Sequence, residues 1–442
     1  MDSAYPGIHL MAEQPQRCLV TGATGYIGGR LVPQLLDNGF EVRALARTPA
    51  KLAGVPWRDR VEVVRGDLSD AASLETAFDG VDIVYYLVHS MGFSADFAAE
   101  ERLAAQNVVA AARRAGVRRI VYLGGLHPEG TELSTHLASR TTVGDILIGS
   151  GIETVVLQAG VVVGSGSASF EMIRHLTDRL PVMTTPKWVH NKIQPIAIRD
   201  VLHYLVAAAT CPVPESRAWD VGGPDVLEYG DMMQIYAEVA GLRPRRILVL
   251  PVLTPRIAAL WVGLVTPIPS GLARPLVESL HCDAVMANHD IDSIIGPPEG
   301  GLTPYRNSVS LALERVSSGE VETSLPSDPE WAGAIVYTDT RSQQTPASPD
   351  RLWKAVENSV PAHWSIEGRE PGRVLRLRAD RHEPGERWLE MRITPDGDGS
   401  RYEQRSIFYP RGLVGRLYWL AGRPLQAIEL KRIVRRVTSG IS

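Results

Sequence analysis

A glycine-rich stretch near the N-terminus has the composition and spacing of a phosphate-binding turn. Gly22 allows a sharp turn, Gly25 lacks a Cβ that would keep a pyrophosphate from the backbone, and Gly28 lets a helix pack against the preceding strand. The helix N-terminus then offers N–H groups and the positive end of its dipole to phosphates. The predicted contacts to a dinucleotide are Thr21, Gly22, Thr24, Gly25, Tyr26, Ile27 and Gly28.

The elements on either side of this turn favour nucleotide binding over a simple glycine turn. Arg17 to Val20 is a short apolar run that predicts a buried strand, and Tyr26 to Asn38 has the periodicity of a helix that stops at Gly39. A strand, a glycine-rich turn and a helix in this order are the context that a dinucleotide site requires. The alternative is a glycine turn in an α/β protein that binds no nucleotide.

The end of the second predicted strand bears on the choice of cofactor. Enzymes that prefer NAD usually place an acid there to bind the ribose 2′-hydroxyl, whereas this strand ends at Ala46-Arg47. Arg47 could bind a 2′-phosphate through its planar guanidinium, so NADP(H) is favoured over NAD(H); the alternative is a solvated surface arginine. Asp67, followed by Leu68, is placed to meet the adenine, or else caps the next helix.

Strands continue to alternate with helices along the chain, which predicts an α/β fold with a doubly wound parallel sheet of the Rossmann type. Asp82 to Val88 is almost wholly apolar, as expected of a strand buried on both faces. Ligands bind outside the carboxyl ends of such strands. We therefore predict that Leu87, Val88 and His89 border the cofactor.

Several segments together resemble the atypical short-chain dehydrogenase/reductases, including their NmrA-like and epimerase-like branches, and more narrowly the YbjT-like NAD(P)H-binding proteins. The segments are TGATGYIGGRL, GDLSD, YYLVHSMG, YLGGLHPEG, HLASRTTVGDIL and VVVGSGSASFEMIRHL. The resemblance extends from about Arg17 to Asp290. It implies a Rossmann-type domain with a smaller substrate lobe.

The catalytic positions implied by this resemblance depart from the wider superfamily. The usual Ser, Tyr and Lys correspond to Gly125, His136 and Arg140, so no phenol lies beside an ammonium group. Arg140 could hold the nicotinamide ribose but cannot release a proton. His136, or His89 after the fourth strand, could transfer one at neutral pH. The alternative is that His136 and Arg140 are two polar residues on an exposed helix face.

Composition and residue spacing bear on which ligands, partners and cellular location the protein has. A net charge of −4 over 442 residues gives no reason to expect nucleic acid binding, and the three cysteines lie far apart. No His, Cys, Asp or Glu cluster has the spacing of a metal site. The apolar stretch Ile247 to Pro269 is interrupted by Arg256 and four prolines, so it does not predict a membrane span. We expect a cytoplasmic protein with free thiols, and the oligomeric state stays open.

The predicted organisation is a disordered tail (1–16), a Rossmann domain with its lobe (17–315, the lobe mainly 224–300), a linker (316–330) and a C-terminal domain (331–442). The last resembles the START and polyketide-cyclase helix-grip domains: a strand, a helix, antiparallel strands and a helix after Pro424. The stretch between Val356 and Arg373 is short for that family.

The C-terminal helix is also basic. Residues 401–442 carry nine basic and two acidic residues, and Leu430, Ile433, Val434 and Val437 lie on one helical face. This pattern is typical of a helix on the inner face of an anionic membrane, or of one whose apolar face packs on its own domain.

Two functions follow from the sequence. The first is an NADPH-dependent oxidoreductase of an apolar, lipid- or quinone-like substrate that works without the usual triad. The second is a regulator or assembly factor that senses NADP(H) without turnover, as NmrA-like proteins do.

Overall fold

A computed structural model of the chain describes residues 15–88, 96–128, 130–131, 133–250, 262–263, 265–317, 336–380, 383–397 and 399–439. The strands of its first 250 residues are β1 (Arg17–Thr21), β2 (Glu41–Ala46), β3 (Glu62–Arg65), β4 (Ile83–Tyr86), β5 (Arg119–Gly125), β6 (Glu153–Ala159), β7 (Val162–Val163), β8 (Val182–Thr185), β9 (Lys192–Ile193), β10 (Ile196–Ala197), β11 (Arg217–Val221), β12 (Leu227–Glu228) and β13 (Arg246–Val249). The helices up to residue 317 are α1 (Tyr26–Asp37), α2 (Glu75–Phe78), α3 (Phe97–Ala115), α4 (Thr135–Ile148), α5 (Ala168–Arg179), α6 (Ile198–Ala207), α7 (Tyr229–Val239), α8 (Ser270–Glu278) and α9 (Tyr305–Ser317).

The main sheet of the described residues has seven parallel strands in the order β11-β6-β5-β4-β1-β2-β3. This is the doubly wound arrangement predicted from the sequence, and the strand order reverses between β1 and β4. Thr21 pairs with Tyr86, Tyr86 with Tyr122, and Tyr122 with Val156. The carboxyl ends of the central strands therefore lie along one edge, where ligands of this fold bind.

Burial explains why these segments form strands. All four residues of β4 are buried, because helices cover both faces of a parallel sheet. On one face α1 packs with Leu31, Val32 and Leu35, and on the other α3 packs with its alanines and valines. The apolar runs predicted as strands thus become the middle layer of the domain.

A second core lies beside the sheet, where the sequence predicts the substrate lobe. It is built by α5, α7, α8 and α9 with three two-stranded pairs, β7 with β10, β8 with β13, and β9 with β12. Phe170 of α5 and Tyr236 of α7 meet edge to face at its centre. The lobe therefore draws on α5 and β8 as well as on the later residues of the predicted 224–300 segment.

The C-terminal region consists of β14 (Tyr337–Thr345), α10 (Pro349–Glu357), β15 (Trp364–Glu370), β16 (Val374–Ala379), β17 (Gly385–Asp396), β18 (Gly399–Pro410) and α11 (Gly412–Ser439). Its described strands form a five-stranded antiparallel sheet in the order β14-β18-β17-β16-β15. Leu430, Ile433, Val434 and Val437 of α11 are buried on this sheet.

Two details of this region differ from the sequence prediction. The short stretch after Val356 contains a further strand, β15, and α11 begins at Gly412 and continues through Pro424. None of the described helices is long and apolar enough to cross a bilayer.

Candidate functional site

The glycine-rich turn connects β1 to α1 and lies against the residues that follow β4. Gly22 has φ +76°, and a Cβ there would lie 2.8 Å from the carbonyl oxygen of Leu87. The N–H of Gly25 donates to the carbonyl of Gly22 at 2.8 Å, which closes the turn. A Cβ on Gly28 would overlap that same carbonyl. Gly22 and Gly28 are therefore required by the packing of the backbone itself.

Gly25 differs from these two glycines because it is exposed and extended (φ −89°, ψ 171°). It precedes α1, which has no side-chain cap and no acidic residue in its first turn. The first N–H groups of a helix have no partner within the helix, and an anion is the partner that they and the helix dipole favour. The turn therefore fits the pyrophosphate of a dinucleotide.

Thr21, the last residue of β1, links the start of the turn to the end of β4 by two hydrogen bonds. Its buried hydroxyl donates to the carbonyl of Tyr85 at 2.9 Å and accepts from the N–H of Leu87 at 3.1 Å. The side chains of Ile27, Leu68 and Leu87 also pack into the core. The buried side chains of Thr21, Leu68 and Leu87 leave only their backbone for a cofactor, whereas Ile27 is partly exposed. Thr24 and Val88 are half-buried near the same edge, and His89 lies outside the described residues.

Tyr26 links the nucleotide turn to the loop after β7. Its ring lies 4.0 Å below the guanidinium of Arg30, and Arg30 donates to the carbonyl of Ser165 at 3.2 Å. A Cβ on Gly164 would overlap the Tyr26 hydroxyl. The hydroxyl of Ser167 in this loop donates to the carbonyl of Val162 at 2.7 Å. The 164–167 loop is thereby fixed against the start of α1.

Arg47 and Asp67 lie past the ends of β2 and β3, where the adenosine of a dinucleotide would bind. Arg47 is exposed. Partial burial acts to raise the pKa of Asp67, but hydrogen bonds from the backbone and hydroxyl of Ser69, together with the charge of Arg47, outweigh it and lower the pKa. The following 3₁₀ turn is capped by Asp70, so Asp67 is not needed as its cap. Asn107 holds this loop by donating to the carbonyl of Leu68 at 2.8 Å.

His136 and Arg140 lie on the inner side of α4, not on an exposed face as the alternative held. Arg140 donates to the carbonyl of Leu123 at 2.7 Å, and its Nε lies 3.8 Å from the place of a Cβ on Gly125. Gly125 and Arg140, which correspond to the Ser and Lys of the wider superfamily, are therefore close together. They bring a guanidinium to the end of β5.

The expectation that His136 titrates near neutral pH is wrong. The side chain is only 5% exposed. Burial, reinforced by the positive charge of Arg140, lowers its pKa to about 4. Nδ1 of His136 has no hydrogen-bond partner among the described residues. At pH 7 His136 is a neutral imidazole and cannot act as a general acid of ordinary strength.

This burial predicts an acid sensitivity of the fold. Below the ordinary value of 6.5 the unfolded chain binds a proton that the folded chain does not bind until about pH 4. Stability is then full above pH 6.5 and falls as the pH falls through this window. When the pH is lowered from 7 to 5, His136 should therefore lower the free energy of unfolding by about 2 kcal/mol. Urea titrations at pH 7 and pH 5 measure the loss. On going to pH 5, His136→Leu should lose about 2 kcal/mol less unfolding free energy than the wild type, whereas His363→Leu, which changes an exposed histidine, should lose as much as the wild type. Equal losses in all three proteins would contradict a lowered pKa for His136.

A second histidine at this site was not predicted from the sequence. His127 follows β5 and is half-buried, with its Nε2 3.1 Å from the Thr141 hydroxyl and 3.4 Å from the Gln158 side-chain amide. The Thr141 hydroxyl also lies 3.0 Å from the carbonyl of Leu137, to which it donates, and the tautomer of His127 decides whether its Nε2 donates or accepts. Three different elements assemble this group at the same edge of the sheet as Arg140. Among the described residues, no group of His, Cys, Asp and Glu side chains is arranged to hold a metal.

Comparisons with known proteins agree with this geometry. A family model described as NAD(P)H-binding matches residues 22–159, and one described as a protein of unknown function matches residues 358–432. A (4-alkanoyl-5-oxo-2,5-dihydrofuran-3-yl)methyl phosphate reductase of Streptomyces griseus is 30% identical over 235 residues, which cover 52% of this chain and 75% of that protein.

Other relatives match a smaller part of the chain or only its fold. A 3 beta-hydroxysteroid dehydrogenase/Delta 5-->4-isomerase of Mycobacterium tuberculosis is 37% identical over 117 residues, or 24% of this chain and 30% of that protein. The chain thus matches less than a third of that enzyme. The NADP(H) complex of triphenylmethane reductase from Citrobacter sp. has a TM-score of 0.53 at 22% identity and covers 67% of this chain and all of that one.

The glycine turn, the parallel sheet and the extent of the match to the reductase of Streptomyces griseus lead to one assignment. The chain belongs to the NAD(P)H-binding atypical short-chain dehydrogenase/reductases.

Proposed function

We propose that this protein is an NADPH-dependent reductase of an apolar carbonyl- or quinone-type substrate. The observation that carries the proposal is the arrangement along one edge of the sheet. The turn at Gly25 and the group formed by Arg140 and His127 lie at the carboxyl ends of β1 and β5, which are joined by β4. A dinucleotide lying along this edge would reach both groups.

The chemistry assigns a part to each residue. Bound nicotinamide supplies a hydride. The Arg140 guanidinium, fixed by the Leu123 carbonyl, holds the cofactor ribose and keeps a positive charge beside the oxygen that gains electrons. His127, held by Thr141 and Gln158, supplies the proton to that oxygen. Together the hydride and this proton would convert a carbonyl to an alcohol, or a quinone to a hydroquinone.

The substrate class rests on two kinds of support. The names of two relatives describe a hydroxysteroid and an alkanoyl-substituted dihydrofuranylmethyl phosphate, so each of those substrates has a hydrocarbon part and the second also has a phosphate. The lobe beside the site is built around apolar and aromatic side chains such as Phe170, Met183 and Trp188. Apolar ligands bind in sites that are mostly apolar with a few placed polar groups, so an apolar lobe next to the cofactor edge suits an apolar substrate.

The preference for NADPH rests on Arg47. The Arg47→Ala variant should bind NADPH about ten-fold or more weakly, because a charge-assisted hydrogen bond contributes roughly 1.5–3 kcal/mol. NADH binding should change little. Isothermal titration calorimetry with both nucleotides measures this difference, and Arg58→Ala, an arginine outside the predicted contacts, serves as the control. An equal loss of affinity for both nucleotides would remove Arg47 from 2′-phosphate recognition.

The proposed function is tested by NADPH consumption with a panel of quinones and carbonyl lipids of increasing chain length. We expect turnover, with a kcat/KM that rises with the hydrocarbon length. Tight NADPH binding without turnover on any member of the panel would contradict the proposal.

A further inference from the structure

The long helix α11 carries an exposed stripe that the sheet contacts do not explain. Its buried side holds Leu430, Ile433, Val434 and Val437, which are the residues that the sequence suggested for a membrane. The opposite side is apolar over the first four turns. The large apolar side chains that are 39–73% exposed there are Leu413, Val414, Leu417, Tyr418, Leu420, Leu425 and Ile428.

The same stripe becomes basic in the last turns of the helix. At 100° per residue, Leu417 and Ile428 share a helix face with Lys431 and Arg435, and Val414 and Leu425 share one with Arg432 and Arg436. These four basic residues are exposed, and the structure gives them no ion pair with a described residue. One side of α11 thus presents hydrocarbon followed by positive charge.

We propose that this stripe of α11 docks the protein on an anionic lipid surface. Half-exposed leucines on one helix face form a patch of the kind that monomeric proteins rarely leave bare. A helix with such a face enters the boundary between headgroups and acyl chains. Cations on the same side then meet lipid phosphates, to which each contributes roughly five-fold in binding.

The order of the residues selects this partner over a second copy of the chain. In a two-fold contact the same patch meets itself. Such a contact would cover the leucines but give the cations no acidic partner, because the stripe is made of apolar and basic residues. A bilayer satisfies both parts of the stripe, because the first turns insert and the last turns stay at the level of the phosphates.

The test is cosedimentation of the full chain with vesicles of phosphatidylcholine, alone or mixed with phosphatidylglycerol. We expect binding to the mixed vesicles that weakens as salt is added. The double variant Leu417→Asp/Leu425→Asp should lose binding about 100-fold, since each buried leucine side chain is worth roughly ten-fold or more. Lys431→Glu/Arg435→Glu should lose at least about 25-fold.

Matched controls keep the result specific to α11. Leu311→Asp changes a leucine that is 41% exposed on α9, and Arg351→Glu/Lys354→Glu makes the same change of charge on α10; both should bind like the wild type. Circular dichroism and NADPH affinity confirm that each variant is folded. Absence of binding at low ionic strength, or binding that the α11 variants leave unchanged, would overturn the proposal. If Leu417→Asp/Leu425→Asp converts a dimer to a monomer and leaves vesicle binding unchanged, the stripe is a contact between two copies of the chain and not a lipid-binding surface.

Discussion

Replacing Gly25 with valine is expected to abolish the binding of both NADPH and NADH while the protein stays folded. Gly25 is exposed, its backbone is extended, and the nearest atom to an added Cβ is the Gly22 carbonyl oxygen at 3.1 Å. The added Cβ needs a shift of a few tenths of an ångström from the Gly22 carbonyl, and the valine side chain occupies the approach of the pyrophosphate to α1. Two lost charge-assisted hydrogen bonds to phosphate predict a loss of at least about 100-fold for each nucleotide.

The controls for this variant use other glycines. Gly296→Val introduces the same side chain where no atom lies within 4 Å of the new Cβ, and should bind both nucleotides normally. Gly28→Ala should instead destabilise the fold, because its Cβ overlaps the Gly22 carbonyl. Calorimetric titration of Gly25→Val together with its thermal unfolding gives the result. Retention of nucleotide binding by a folded Gly25→Val would contradict the placement of the pyrophosphate.

Replacing His127 with glutamine is expected to lower kcat by about 100-fold or more without changing the affinity for NADPH. A placed general acid contributes roughly 10²–10⁴-fold, and His127 is the half-buried imidazole that Thr141 and Gln158 contact just after the end of β5. Thr141→Val should lower kcat by less, since it removes only the hydrogen bond that orients the ring.

The comparison requires a substrate from the panel and single-turnover kinetics, so that proton transfer is not hidden by product release. His363→Gln, in the C-terminal region, is the matched control and should retain wild-type turnover. If His127→Gln keeps a kcat within about three-fold of the wild type, placed acid catalysis by His127 is excluded. His89, which lies outside the described residues, would then be the next candidate.

The fold was largely predictable because its signals are local. The glycine turn, the apolar run before it and the periodic helix after it each fix their own structure, and Gly22 at φ +76° is a position that demands glycine. Strands separated by helices permit few topologies. The parallel sheet therefore followed from the order of elements along the chain.

The inner face of α4 could not be predicted in the same way. Its sequence, THLASRTTVGDILI, has no clear apolar stripe, so the burial of His136 depends on the elements packed against α4 and not on helical periodicity. That burial explains why the prediction of an ordinary histidine pKa failed. His127 was missed for a related reason, since its partners Thr141 and Gln158 belong to α4 and β6 and meet only in the folded protein.

The start of α11 was misplaced because proline is a strong local signal. Pro424 has no N–H and its ring crowds the carbonyl four residues earlier, which normally ends a helix. Here the helix continues on both sides, anchored by Trp419 and Leu430. Trp419 stacks on Phe408 and Tyr337 with ring centroids 5.1 and 5.6 Å apart. Tertiary packing of this kind outweighs local propensity.

The measurement that tests the central claim most directly is isotope transfer from NADPH that carries deuterium at the transferable position of its nicotinamide. Wild-type protein is incubated with the panel of quinones and carbonyl lipids, and the products are analysed by mass spectrometry. The account predicts deuterium on the carbon of a reduced carbonyl product, or the hydroquinone formed with stoichiometric loss of NADPH, and neither result with Gly25→Val. NADPH that binds the wild type and remains unconsumed with every substrate would contradict it.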